Sequence, residues 1–494
     1  SRGLGDVYKR QSHEGIMELP ADAPVGMAAK EYLRVEDDYL IEVGLTPNRV
    51  DAASHIGVAR DLAAYLSSRG ERTEVKWPDV SAFAVDNHDL PVAIRVENHE
   101  ACPRYVGITV SGCKIGPSPE WMQNCLRAAG INPKNNLVDI TNFVLFELGQ
   151  PLHAFDAAKI EGREVVVRTC AEGTPFVTLD GVERKLTDKD LMICSAERPM
   201  CIAGVFGGLD SGISETTTDV FIESAYFNPV WVRKTAKRFG LNTDSSFRFE
   251  RGIDPNLQVY AAKRAALLMK ELAGGSISSE ITDICPVPAA DFVFDFSFAR
   301  INALIGKEIP QETVRTILAA LDVKILSEQE GRLTVAVPPY RVDVQREADL
   351  IEDILRIYGY NNVEVPSRVR STLSYAPKPD RSKLMNLAAD FLTDNGFTEI
   401  MSNSLTKGAY YEGLTACPPE RCVRILNPLS ADLNVLRQTL LFNMLEAVCL
   451  NINHKNGDLK LYEFGNCYFY DEAKRTEENH LAAYSEEYLS LIHI

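Results

Sequence analysis

The 494-residue chain has no apolar run long enough to span a bilayer, so a helical membrane protein is excluded. The opening SRGLGDVYKRQSHEG has no apolar core and does not read as a secretory signal. None of the 11 cysteines forms a C-x-x-C pair; Cys417 and Cys422 come closest, with no second pair beside them. A structural zinc site is therefore not expected, and reduced thiols in a cytoplasmic setting are the reading. Positive charge is in deficit, with a formal net charge of −17, which argues against non-specific adhesion to nucleic acid over the whole surface. No internal repeat is visible, and no Gly-x-Ser-x-Gly elbow marks a serine nucleophile.

What is present is ordinary for a globular protein: 45% hydrophobic and 24% charged residues. The length exceeds one core and points to about three or four domains. Basic residues gather at Arg233, Lys234, Lys237 and Arg238, then at Arg248 and Arg251. A solvated helix face is the simpler account, with a local RNA-binding patch as the other.

Along the chain, LIEVGLTPNR reads as a strand ending at a Pro-Asn turn. A helix follows, with Ile56, Val58, Ala59, Leu62 and Leu66 on one side and Gly70 after its end. Residues 81–99 read as a linker. From about 100 to 275 the pattern is mixed. PSPEWMQNCLRAAGI is a helix. EVVVR, FVTLDGVERKL with an Asp-Gly hairpin turn, LMIC and CIAGVFGG form a β-rich stretch, and NPVWVRKTAKRFG and VYAAKRAALLMKELAGG are helices. Residues 293–365 combine two helices (PQETVRTILAALD and READLIEDILRIYG) with a strand pair. After a proline-rich linker at 366–380, RSKLMNLAADFLTDNG carries an apolar stripe of Leu384, Leu387, Ala388 and Phe391, stopped by Asn395-Gly396. The fold class is α+β, in several domains.

Four constellations carry possible chemistry. The densest is LVDITNFVLFELGQPLHAFD (137–156), where Asp139, Thr141, Asn142, Glu147, Gln150 and His153 sit in an apolar frame. Polar groups so placed need partners, so the segment either builds a site or satisfies a buried turn. With CIAGVFGG and Glu223 of VFIESAYF, His153 would orient water against an ester; alone, it reads as a histidine satisfied by packing. In TDSSFRFERGIDP the letters FRFE mimic the ATP-holding motif of class II aminoacyl-tRNA synthetases. No matching Gly-x-Gly-x-x-x-Arg follows, so an adenylate site is rejected in favour of a polar turn with Arg–Asp and Arg–Glu pairs. Asp349, Glu352 and Asp353 share a helix face with Asp343 nearby; a divalent cation, a basic partner, or Arg346 and Arg356 would offset their repulsion. NPLSADLNVLRQTLL (427–441) reads as an interface core more readily than as a substrate-binding strand pair.

Together these stretches resemble the β subunit of bacterial phenylalanyl-tRNA synthetase. LTPNRVD, LVDITNFVLFELGQPLHAFD, AGVFGG, FIESAYF, TDSSFRFERGIDP, PPYRVDVQREADLIEDILRIYGYNN and NPLSADLNVLRQTLL fall in the family's order over nearly the whole chain. The resemblance implies a remnant of an OB-fold tRNA-binding domain within 1–26 after a non-family end, and a small structural domain at 27–80. It implies an editing domain at 100–275, a winged or helical metal-binding module at 293–365, and a truncated catalytic-like domain at 370–494. Residues 1–11 and the final YLSLIHI match nothing in the family, and the C-terminal anticodon-binding domain is missing, so a fragment with foreign ends is the expectation. The resemblance further implies an (αβ)₂ tetramer in which the α subunit, using ATP, charges the phenylalanine tRNA. The β subunit would hydrolyse tyrosine wrongly esterified to it. Carried over, Thr141, Asn142, His153 and Glu223 act on the ester, with Glu223 recognising the tyrosine hydroxyl. Ala203, Gly204, Thr243 and Ser245 line the pocket, and Asp343, Asp349, Glu352 and Asp353 hold magnesium.

Overall fold

A computed structural model describes residue 19 and residues 22–32, 39–71, 73–365, 367–368, 371–373, 375, 379–471, 473–485 and 489–493. The readings of residues 1–11, most of 12–26 and the side chains of YLSLIHI lie outside them. The chain divides into two compact units, Ser1–Pro366 and Ser367–Ile494, and mixes helices with largely antiparallel sheets, an α+β architecture.

The first unit opens with α1 (His55–Ser68), capped by the Ser54 side chain, which accepts from Gly57 N. Its expected apolar stripe is packed in part: Ile56 is buried and Ala59 and Leu66 are half-buried, whereas Val58 and Leu62 are exposed. Ala64 enters an apolar core, and polar contacts add to the packing, with Asp61 gripped by Arg49 and Arg356. β1 (Ala93–Val96), β2 (Arg104–Ser111) and α2 (Glu120–Ala128) follow. α3 (Asn136–Leu148) is capped by the Asn135 side chain and ends at Gly149, whose φ of 82° suits glycine. Then come β3 (Leu152–Asp156), β4 (Glu164–Thr169), β5 (Leu191–Cys194), β6 (Pro199–Ile202), β7 (Phe206–Gly207) and β8 (Val220–Tyr226). Between β4 and β5 the Asp-Gly hairpin is present, pairing 175–177 with 183–185. α4 (Pro229–Phe239), α5 (Asp244–Phe249) and α6 (Gln258–Ala273) close the region, and strand 276–277 pairs with β2.

Two sheets result. One runs β1-β4-β5-β6-β7; the other is antiparallel, with β2 and β3 flanking β8. Alternation along the second sheet assigns its faces. Tyr105, Phe155, Phe221 and Ala225 join the first sheet's Val166, Ile193 and Ile202 in one core. Val106, Ile108, Ala154 and Ile222 face the other way, against Leu137, Ile140 and Val144 of α3 and Ala262 and Ala266 of α6.

Residues 292–358 form a third core. Sequence reading found the helices α8 (Gln311–Ala320) and α9 (Glu347–Tyr358) and the strands Lys324–Gln329 and Arg332–Val337. It missed the strand Phe292–Ser297, which completes a three-stranded sheet, and the helix α7 (Phe298–Ile305). The period-2 run Phe292, Phe294, Phe296 was the available signal; Phe296 is buried and the other two pack against the core.

In the second unit α10 (Arg381–Asp394) is capped by Asp380, and α11 (Leu441–Asn453) accompanies a sheet whose long strands are Lys460–Asp471 and Lys474–Ser485. The stripe on α10 is exposed at Leu384, Leu387 and Phe391. Arg437 and Glu463, both buried, pair at 2.8 Å inside this unit.

Candidate functional site

The antiparallel ladder of β3 and β8 sets Glu223 directly opposite His153, on the face that meets the first sheet. Opposed residues in such a pair point to the same side, so the register alone brings imidazole and carboxylate together. Glu223 is buried at 5% exposure and has no ion-pair partner among the described residues. Its Oε2 accepts a hydrogen bond of 2.7 Å from the Tyr105 hydroxyl. Burial pushes the carboxyl up to about 7, and the Tyr105 bond pulls against that rise.

His153 packs edge-on against Phe155, with ring centroids 4.4 Å apart. Desolvation of the ring lowers its pKa to about 4, so it is a neutral imidazole at pH 7. Its Nε2 is closed off from solvent and has no hydrogen-bond partner among the described residues. A methyl group added at Gly207 would lie 3.2 Å from His153 Cε1 and 2.9 Å from Leu179 Cδ1. Gly207 and the hairpin-tip residue Leu179 therefore wall the imidazole.

The turn Ala203-Gly204 follows β6. Gly204 has φ of +68°, and a Cβ there would lie 2.9 Å from Phe227 and Phe249, so the core closes on it. Thr243 braces this turn. Its hydroxyl donates to Val205 O at 2.9 Å and accepts from Ser246 N, capping α5. Ser245 is half-buried on the first turn of α5; the buried serine is its neighbour Ser246, which completes the capping box. TDSSFRFERGIDP is thus a short capped helix rather than a turn, with the expected pairs Arg248–Asp244 (3.5 Å) and Arg251–Glu250 (2.6 Å).

Thr141 and Asn142 ride on α3, whose apolar side packs against the opposite face of the sheet from His153 and Glu223. The Thr141 hydroxyl donates to Val138 O within its own helix, and Asn142 is half-buried. Other polar residues of this stretch hold structure. Asp139 accepts from Lys134 N and from Ser118. Glu147 grips Arg264 through two bonds of 2.9 and 3.0 Å. Buried Gln150 donates to Pro151 O and Ala225 O and accepts from Gln258.

The acidic quartet is arranged around arginines. Buried Arg341 meets Asp353 at 2.6 Å, Asp343 at 3.4 Å and Asp51 at 3.8 Å. Arg346 meets Asp349 at 2.9 Å, and Arg356 bridges Asp353 and Asp61. Glu352 is exposed, while its neighbour Asp353 is buried. Among the described residues no group of three or more acidic, histidine or cysteine side chains is disposed to hold a metal ion. With Asp343, Asp349 and Asp353 each on a guanidinium group and Glu352 turned to solvent, the set does not fit magnesium in this arrangement. Arg341 was missed because Asp51 and Asp353 lie on other segments, and Asp51, far off in sequence, gave no local signal.

Comparisons with known proteins define the class first. Residues 101–274 match the B3/4 domain, 294–360 the tRNA synthetase B5 domain, and 365–487 the phenylalanyl tRNA synthetase beta chain CLM domain. The chain is thus built of aminoacyl-tRNA synthetase modules. It is 60% identical over 478 residues to the phenylalanine–tRNA ligase beta subunit of Bacteroides fragilis (strain YCH46), covering 97% of this chain and 58% of that protein. It is 53% identical over 478 residues to that of Porphyromonas gingivalis (96% and 58% covered), and 39% identical over 469 residues to that of Geobacter sulfurreducens (94% and 57% covered). The chain belongs to the bacterial phenylalanyl-tRNA synthetase beta-subunit family, and it spans less than two thirds of the length of these relatives. No helix among the described residues is long and apolar enough to cross a membrane.

Proposed function

We propose that this chain acts as the β subunit of a phenylalanine–tRNA ligase. It supports attachment of phenylalanine to its tRNA by an ATP-using α subunit in an (αβ)₂ assembly in the cytoplasm, and it hydrolyses tyrosine wrongly esterified to that tRNA. The observation that carries the editing half is Glu223: a buried carboxylate with no ion pair, bonded to one tyrosine hydroxyl and set opposite a neutral imidazole.

Such a group suits recognition of a phenol. A synthetic pocket shaped for phenylalanine rejects tyrosine weakly, because the intruder only adds a hydroxyl. A second pocket built to bond that hydroxyl discriminates in the other direction, since phenylalanine leaves the carboxylate unpaired in a dry site. Glu223 takes the tyrosine hydroxyl. His153, unprotonated at neutral pH, accepts a proton from, or positions, the water that attacks the ester. Ala203, Gly204, Thr243 and Ser245 shape the wall, while Thr141 and Asn142, on α3, support the sheet from the face opposite His153 and Glu223. Magnesium at the acidic quartet takes no step here, because Asp343, Asp349 and Asp353 meet arginines.

A second reading, an assembly scaffold with a degenerate pocket, is favoured by the closure of His153 Nε2 from solvent. A free-standing editor acting in trans is disfavoured by the separate second unit, which such an enzyme does not need. Hydrolysis of tyrosyl-tRNA by the purified chain supports the editing reading, and its complete absence supports the scaffold. Co-purification with an α subunit separates a subunit from a trans editor.

A further inference from the structure

We propose that Tyr105 is a positioning residue that sets the specificity of the Glu223 pocket: by donating to Oε2 it fixes the carboxylate and leaves Oε1 to accept a phenol. The proposal rests on the reading of Glu223 given above and names the group that makes that reading work.

Tyr105 is fully buried on β2, in the core between the two sheets. In the β2–β8 ladder it opposes Ala225, while Gly107 opposes Glu223, so its ring reaches Glu223 on the diagonal, two residues along. A Cβ at Gly107 would come within 2.4 Å of Ile94 and 2.5 Å of Phe221, so apolar groups fill the position beside the carboxylate.

The other titratable groups around Glu223 are Cys102 before β2, Cys201 on β6 and His153 on β3. Burial and the carboxylate hold both thiols well above their ordinary range, so they stay neutral. Their protons point elsewhere, with Cys102 donating to Arg104 O and Cys201 to the carbonyls of Ile202 and Phe206. His153 is neutral at pH 7. Tyr105 is thus the hydroxyl that stabilises the charged form of Glu223 in a site without a cation. Burial keeps its own phenol far from ionising, so it stays a donor.

Two consequences follow. With Oε2 occupied, a tyrosine side chain meets the carboxylate at Oε1, which carries no hydrogen bond among the described residues. Without the Tyr105 hydroxyl, Glu223 is protonated over more of the neutral range and loses the charged acceptor that a phenol bonds most strongly, which weakens the distinction between a phenol and a phenyl ring.

The test is Tyr105→Phe in the full chain complexed with its α subunit. Deacylation of tyrosyl-tRNA and phenylalanyl-tRNA is followed from neutral to mildly alkaline pH. The tyrosyl kcat/KM falls about tenfold at neutral pH, the worth of one hydrogen bond to a charged group. The loss sits mainly in KM, the phenylalanyl reaction is unchanged, and activity recovers as rising pH ionises Glu223. Equal loss for both esters, or a pH profile identical to the parent's, overturns the role of Tyr105. Glu223→Ala is run alongside. If it keeps the preference for tyrosine, the reading of Glu223 itself fails; if it loses the preference while Tyr105→Phe keeps both preference and profile, only the Tyr105 proposal fails.

Discussion

His153 and Glu223 face each other across one antiparallel ladder, and burial moves their pKa values in opposite directions, His153 down to about 4 and Glu223 up to about 7. At neutral pH the pair is an uncharged imidazole beside a carboxyl near its midpoint. Each shift also makes a stability claim.

Because its folded pKa is raised, Glu223 contributes no penalty below its unfolded value near about 4.3; the penalty grows as pH climbs through about 7. Glu223→Gln, which cannot ionise, should match the parent in acid and gain about 3 kcal/mol over it by pH 8. Urea unfolding at the two pH values measures the difference. A constant difference across that range contradicts the buried, unpaired carboxylate. His153 works the other way: its folded pKa is lowered, so its contribution is present above about 6.5 and is lost as pH falls through about 4.

Gly207 stands against His153 and Leu179, with 3.2 and 2.9 Å available to an added methyl. Gly207→Ala should displace the imidazole or the hairpin tip. A stability cost of about 1–3 kcal/mol is expected from overpacking. Ester hydrolysis should fall further than that cost explains, as read by deacylation at a temperature where a melt shows the variant folded. Full activity would place the reacting ester away from His153.

The Arg341 network separates a buried from an exposed use of arginine. Arg341→Ala removes the buried cation shared by Asp51, Asp343 and Asp353, of which Asp51 keeps Arg49 and Asp353 keeps Arg356, and should cost about 3 kcal/mol. Arg346→Ala removes an exposed partner of Asp349 and should cost under about 1 kcal/mol. Chemical denaturation of the two variants gives the comparison, and similar costs would mean that Arg341 is not the hub of the cluster.

Much of the fold was legible because its signals are local. The Asp-Gly hairpin and the helices α4 and α6 are written in short windows of sequence, whereas the Asn-capped α3 and the strands β2 and β8 were not read as elements. The α1 stripe held at Ile56 but failed at Val58 and Leu62, because part of the packed side is Ala64 and Asp61 with its arginines, an arrangement set by distant residues that periodicity does not register. The site was legible in part for the same reason. Glu223 and His153 stood out as polar residues in apolar strands, whereas Tyr105, an aromatic in a strand, looked like ordinary core. The stretch 137–156 divides: Asp139, Glu147 and Gln150 satisfy buried turns, and His153 faces the carboxylate.

The central claim is that Glu223 reads the tyrosine hydroxyl. The most direct measurement is the ratio of tyrosyl- to phenylalanyl-tRNA deacylation by the full chain with its α subunit, for the parent and for Glu223→Ala. The account predicts a marked preference for the tyrosyl ester in the parent that collapses in the variant, through loss of tyrosyl hydrolysis. A preference that survives the substitution unchanged would contradict it.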